Sequence, residues 1–170
     1  MNHYRLNNGV EIPVLGFGTW KAANGEEAYQ AVLAALKAGY RHIDTAAIYQ
    51  NEESVGRAIK DSGLAREDLF ITTKLWNTHH TYEDAQAALE ESLEKLGLDY
   101  VDLYLIHWPN PKPLRENDAW KQRNAEVWRA MEDMLASGKV RALGISNFLP
   151  HHLEALLETA RVIPAVNQIR

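Results

Sequence analysis

Four side chains with complementary chemistry stand at or just after the ends of short apolar runs. Asp44 closes Tyr40-Arg41-His42-Ile43, Lys74 closes Phe70-Ile71-Thr72-Thr73, His107 closes Leu103-Tyr104-Leu105-Ile106, and Tyr49 follows Asp44 by five residues. A phenol titrates near ~10 and is a poor acid at neutral pH. An ammonium beside it stabilises the phenolate. At about 4 Å and an effective dielectric of about 20 that attraction is roughly 4 kcal/mol before desolvation is subtracted. Lys74 next to Tyr49 would therefore make a proton donor. Asp44 would keep Lys74 charged and oriented, and His107 would hold a carbonyl oxygen by hydrogen bonding. Such a set protonates an oxygen as negative charge develops on it. Carbonyl reduction fits, and because no side chain supplies a hydride, a nicotinamide cofactor is implied.

These residues can act together only if the elements bearing them converge. Short β-branched runs alternate with longer segments of helical periodicity along the whole chain, the pattern of βα units and a parallel sheet. After an Asn8-Gly9 hairpin, strands are expected over 14–19, 40–44, 69–74, 101–107, 140–145 and 164–169. Helices are expected between them. The first would be capped by Asn24 with Glu27, the second would run from Glu52 to Lys60, and the third would start at Thr81 with Asp84 and stop at Gly97. The fourth carries Val127, Trp128, Met131 and Met134, and the fifth starts at Pro150. Polar groups also follow strands five and six, as Ser146-Asn147 and Asn167-Gln168. In parallel α/β folds the C-terminal strand ends share one face, where active sites sit. One such residue alone reads as a cap or a solvated loop. Several on adjacent strands offer each other the partners that buried charges require.

Composition narrows the alternatives. The 170 residues are 46% hydrophobic and 24% charged with a net charge of −5, which predicts one packed domain and argues against a nucleic-acid partner. The absence of cysteine excludes disulfides and thiol catalysis, and no apolar run is long enough for a membrane span. A cytoplasmic protein without a metal is expected. His79-His80 and His151-His152 lack ligand spacing, and adjacent helical residues point apart. Gly16-x-Gly18 has no third glycine of a dinucleotide fingerprint, and Gly144-Ile145-Ser146-Asn147-Phe148 lacks the second glycine of a nucleophile elbow. His42 reads as a packed strand residue, and Trp120 and Trp128 as helix packing.

Six ordered motifs carry a resemblance. Gly16-Phe17-Gly18-Thr19-Trp20, Gly39 to Ala46 with Tyr49 and Asn51-Glu52, Thr73-Lys74-Leu75-Trp76, Asp102 to Pro109, Gly144 to Phe148 and Val166-Asn167-Gln168-Ile169 together resemble the aldo-keto reductase family. The resemblance spans essentially the whole chain. It implies an α/β fold of the (β/α)₈ TIM-barrel type, incomplete here with about six strands and five helices, as a single domain over 1–170. It implies NADPH as cofactor and an aldehyde or ketone as substrate. Tyr49 would be the proton donor, Lys74 and Asp44 the pair that tunes it, and His107 the residue orienting the carbonyl. Ser146, Asn147 and Gln168 would hold the nicotinamide carboxamide, Gly18, Thr19, Trp20 and Asp44 the adjoining ribose, and Trp20, Trp76, His107 and Trp108 the substrate. The family is expected to be monomeric, although sheet edges left open after strand six would favour self-association. The alternative readings are a noncatalytic binding or structural protein on the same scaffold, or a truncated chain with impaired activity.

Overall fold

The structure, a computed structural model, describes residues 2–169. A two-stranded antiparallel hairpin, β1 (His3–Arg5) and β2 (Glu11–Pro13), leads into a parallel sheet of six strands in chain order. These are β3 (Gly16–Gly18), β4 (His42–Asp44), β5 (Phe70–Leu75), β6 (Val101–Ile106), β7 (Val140–Ser146) and β8 (Val166–Gln168). Helices α1 (Glu26–Lys37), α2 (Glu52–Asp61), α3 (Tyr82–Leu96), α4 (Ala119–Ala136) and α5 (Pro150–Leu157) make the crossovers. The result is the expected α/β architecture, a curled sheet forming part of a (β/α)₈ barrel.

Strand alternation divides the apolar residues between two faces. Ile43, Ile71, Tyr104, Leu143 and Ile145 pack outward against the helices, with Val55, Leu89, Leu93, Trp128 and Met131 in the same cluster. Phe70, Leu103, Leu105 and Ala142 form a second cluster inside the curl, covered by Leu6, Val10 and Ile12 around the hairpin. Asn7 and Asn8 fasten the hairpin turn, with Asn7 Nδ2 donating to Pro164 O at 3.2 Å and Asn8 Nδ2 to Arg141 O at 2.9 Å. The N-terminal mouth of the curl is thus plugged, leaving its C-terminal mouth for chemistry.

Helix α3 forms as its sequence predicts. Thr81 accepts from the Asp84 backbone N–H, and Gly97 ends the helix in the left-handed conformation at φ 65°. Helix α1 departs from expectation, because no side chain caps it and Gly25, at φ 100°, precedes it. Asn24 is drawn away: its Oδ1 accepts from Ser54 Oγ of α2 at 2.6 Å. The end strands β3 and β8 are each three residues long rather than the expected six. Val14 and Leu15, assigned to strand by their apolar character, are exposed before β3. Close packing sets the place of α2, since a Cβ on Gly56 would lie 2.3 Å from Leu96 O. Trp120 and Trp128 are buried as expected, and His42 packs inside the sheet with Nε2 2.9 Å from Thr72 Oγ1. No helix of the described residues is long and apolar enough to cross a membrane.

Candidate active site

Parallel register places Asp44 and Lys74 near one another. Gly18 pairs with Asp44, Asp44 with Thr72, and Lys74 with Leu105. Lys74 has 1% of its surface exposed and would not be tolerated there without partners. Its ammonium has three: Asp44 Oδ1 at 2.5 Å, Thr45 O at 2.9 Å and Tyr49 Oη at 3.4 Å. Three N–H donors thus meet three acceptors. A single helical turn, Ala47–Tyr49, carries the phenol back over the strand ends, and Gln50 leaves that turn in the left-handed conformation at φ 56°. The second carboxylate oxygen of Asp44 accepts from Gln168 Nε2 at 2.8 Å, linking β4 to β8 across the mouth.

His107 follows β6 and faces the same space. Its ring stands edge-on to Tyr49 at 5.8 Å and to Trp76 at 5.1 Å. Burial, reinforced by the Lys74 cation and opposed by Asp44, pushes its pKa down to about 4, so the ring is neutral at pH 7. Its Nδ1 is buried with no hydrogen-bond partner, which marks a polar atom not satisfied by the chain around it.

These groups border a cavity of about 540 Å³. Trp20, Tyr49, Trp76, His107 and Trp108 form an aromatic wall, and Ser146, Asn147 and Gln168 line another part. Ser146 Oγ donates to Gln168 O at 2.9 Å and receives Asn147 Nδ2 at 3.1 Å. Asn147 takes a left-handed conformation at φ 60°, which asparagine tolerates better than most residues, and its Nδ2 also reaches His107 O at 3.2 Å. Gly18 and Thr19, expected beside a cofactor ribose, are not among the lining residues. Thr19 turns into the fold, its hydroxyl 2.9 Å from that of Thr45. Asp44 and Lys74 lie behind the wall and reach the cavity through Tyr49 and Gln168.

Similarity to known proteins agrees with this arrangement. The Aldo/keto reductase family profile matches residues 14–170. The chain belongs to the aldo/keto reductase family. It is 54% identical over 165 residues to the glyoxal reductase of Bacillus subtilis, a match covering 97% of this chain and 56% of that protein. Among solved structures, an aldo/keto reductase from Brucella melitensis superimposes with a TM-score of 0.91 at 51% identity, covering 99% of this chain and 62% of the other. A Bombyx mori aldo-keto reductase in complex with NADP gives 0.87 at 41% identity, covering 99% and 58%. The chain thus spans little more than half the length of the relatives it matches.

Sequence reasoning missed several neighbours of the site. Lys21 and Ile48 line the cavity without having been singled out, and Ile169 had entered only as the end of a motif. Asn51 entered only as part of a motif and Glu52 as part of that motif and as a helix start, yet both are buried polar residues with several partners. Their hydrogen-bond partners come from distant segments, Thr19 and Ala22 for Asn51 and Thr73 and Ser92 for Glu52, so no local pattern announces them. The paired His151 and His152 also differ from expectation: their rings approach to 3.9 Å rather than pointing apart. His152 turns inward, accepts the Leu149 N–H at Nδ1 and packs against Trp120, carrying its ring toward its neighbour's. Among the described residues no group of three His, Cys, Asp or Glu side chains is placed to hold a metal.

Proposed function

We propose that this chain carries the proton-transfer half of an NADPH-dependent aldehyde or ketone reductase. The observation that supports it most is one ammonium, Lys74 Nζ, bonded at once to Asp44 and Tyr49 at the edge of an aromatic cavity that also holds neutral His107. Bound NADPH would supply the hydride that a carbonyl carbon accepts. The donor set suits its nicotinamide end, since Ser146, Asn147 and Gln168 present the hydroxyl and amide groups that pair with a carboxamide, and the tryptophans offer apolar surface. The silkworm relative in complex with NADP supports the same choice.

The roles follow from the positions. Tyr49 Oη faces the cavity and gives its proton to the carbonyl oxygen as negative charge grows there. Lys74, 3.4 Å behind it, stabilises the charge left on the phenol oxygen, and Asp44 holds Lys74 in place. Neutral His107 presents an N–H to the carbonyl oxygen without competing as an acid. Trp20, Trp76 and Trp108 exclude water and prefer apolar or small carbonyl compounds.

Tyr49→Phe keeps the ring and deletes the proton. Turnover of a reactive aldehyde, followed by NADPH oxidation, should fall by about 10²–10⁴-fold with the thermal midpoint unchanged. Parent-level turnover in that variant would defeat the assignment. NADPH binding without turnover across a carbonyl panel would favour a noncatalytic binding protein instead.

A further inference from the structure

Asn51 is buried, and it caps the space between two loops of the site rather than the helix it precedes. Its Nδ2 donates to Thr19 O and to Ala22 O, each at 2.9 Å. These carbonyls flank Trp20 and Lys21, and Lys21 sits at φ 69°, where a non-glycine residue is strained. Its Oδ1 lies 3.1 Å from Thr45 Oγ1 and 3.4 Å from Thr19 Oγ1. Thr45 is the residue whose carbonyl receives Lys74 Nζ at 2.9 Å. One amide therefore grips the Trp20 loop with its donor end and the Lys74 acceptor with its oxygen end. Few side chains could do so, because the task needs two donors and an acceptor on one rigid group.

The amide is itself held from behind. Glu52, the next residue, is buried and accepts from Thr73 Oγ1 at 2.6 Å and from Ser92 Oγ at 3.2 Å. Thr73 precedes Lys74 on β5. The first turn of α2 is thus fastened to the strand that supplies the ammonium, and the distance from that strand to Asn51 cannot drift freely.

We propose that Asn51 is a positioning residue with two separable outputs: its NH₂ sets the Trp20 wall of the cavity, and its oxygen, through Thr45, sets Lys74. This rests on the reductase reading for its kinetic consequences but not for its structural ones. Asn51→Asp keeps the acceptor and turns a negative oxygen toward the Thr19 and Ala22 carbonyls, which breaks the donor end. Thr45→Val is uncharged and nearly isosteric; it removes the hydroxyl that bonds the Asn51 oxygen and the Thr19 hydroxyl, and leaves both Nδ2 bonds to the Thr19 and Ala22 carbonyls in place.

The test combines amide hydrogen exchange by mass spectrometry on the cofactor-free chain with steady-state kinetics. In Asn51→Asp, exchange over 19–23 should accelerate while β6 and β7 keep parent protection, and KM for an aromatic aldehyde should rise by about two- to tenfold, the scale of one or two hydrogen bonds. In Thr45→Val, exchange over 19–23 should stay near parent and the change should fall on kcat. Equal movement of KM and kcat in both variants, or unchanged exchange over 19–23 in Asn51→Asp, overturns the proposal. Should the buried Asp prevent folding, Thr45→Val still decides, since a rise in KM without loss of kcat contradicts it. If Tyr49→Phe shows the reductase reading to be wrong, the exchange contrast between the two variants still judges Asn51 alone.

Discussion

The two ends of the sheet each pair an aspartate with cationic side chains, fully buried at one end and part-exposed at the other, and they use it in opposite ways. At the N-terminal end, Asp102 is fully buried and saturated, with Arg66 at 2.6 Å, Arg141 at 2.9 Å and the Ile71 N–H at 2.8 Å. Tyr100 stacks on the Arg66 guanidinium at 3.9 Å, and Asn8 of the hairpin turn bonds the Arg141 carbonyl. At the C-terminal end, Asp44 has a single cation, shares its other oxygen with an amide, and lies behind a cavity lined by Tyr49, His107 and Gln168. At the first end the carboxylate itself is fully used by two guanidinium groups and a backbone N–H, and the polar atom left without a partner is Arg66 Nε on the cationic side. The second has polar side chains, Tyr49, His107, Ser146, Asn147 and Gln168, lining open space, where the proposed reaction would take place.

If that contrast is right, damage at the two ends should appear in different measurements. The largest effect on stability is expected from Asp102→Ala, which leaves Arg66 facing buried surface without its carboxylate. Losing one partner of a buried pair costs about 3–5 kcal/mol, and thermal denaturation should show a midpoint lower by roughly 10 °C. A smaller loss than that caused by Lys74→Met would break the contrast. Lys74→Met should cost less than half as much, because Asp44 retains Gln168 and the open cavity. It should nonetheless remove most NADPH-dependent turnover.

Acid should find the cavity end next. His107 is held neutral down to about pH 4, whereas an unfolded histidine binds a proton near 6.5. Between those values the unfolded chain carries the extra proton, so stability falls as pH drops through that window. In His107→Gln the midpoint should depend less steeply on pH there, as scanning calorimetry from pH 7 to 4 would show. Parallel curves for parent and variant would mean that His107 is not the sensor.

The smallest effect concerns Glu52, which lies between the two ends. Burial raises its pKa against the lowering effect of the Thr73 and Ser92 hydrogen bonds. The folded chain therefore holds that proton longer than the unfolded one, and stability is lost as pH rises through the carboxylate range. Glu52→Gln should gain on the parent as pH increases from about 4 to 7. A variant that instead loses ground over that interval would show that the carboxylate form is the stabilising one.

Much of this was readable in advance, for local reasons. Helix α3 announces itself by Thr81, Gly97 and an apolar stripe between them, all within one segment. Asp44, Lys74 and His107 were legible because each ends an apolar run and the right-handed βα rule sends such ends to one face. The missing Asn24 cap was not legible, because Ser54, thirty residues on, outcompetes the helix for that side chain. Nor was the Asp102 site, whose partners come from the turn before β5 and from β7.

By itself the sequence determined the element order, the sheet's parallel sense and the set of groups able to move a proton, since periodicity, caps and side-chain chemistry are properties of short stretches. Tertiary structure alone decided which of those groups meet. Only the curl of the sheet brings Gln168 onto Asp44 across 124 positions of chain and lets Asn51 span two loops. A hydrogen bond needs placement to within tenths of an ångström, and that precision comes from packing the whole sheet.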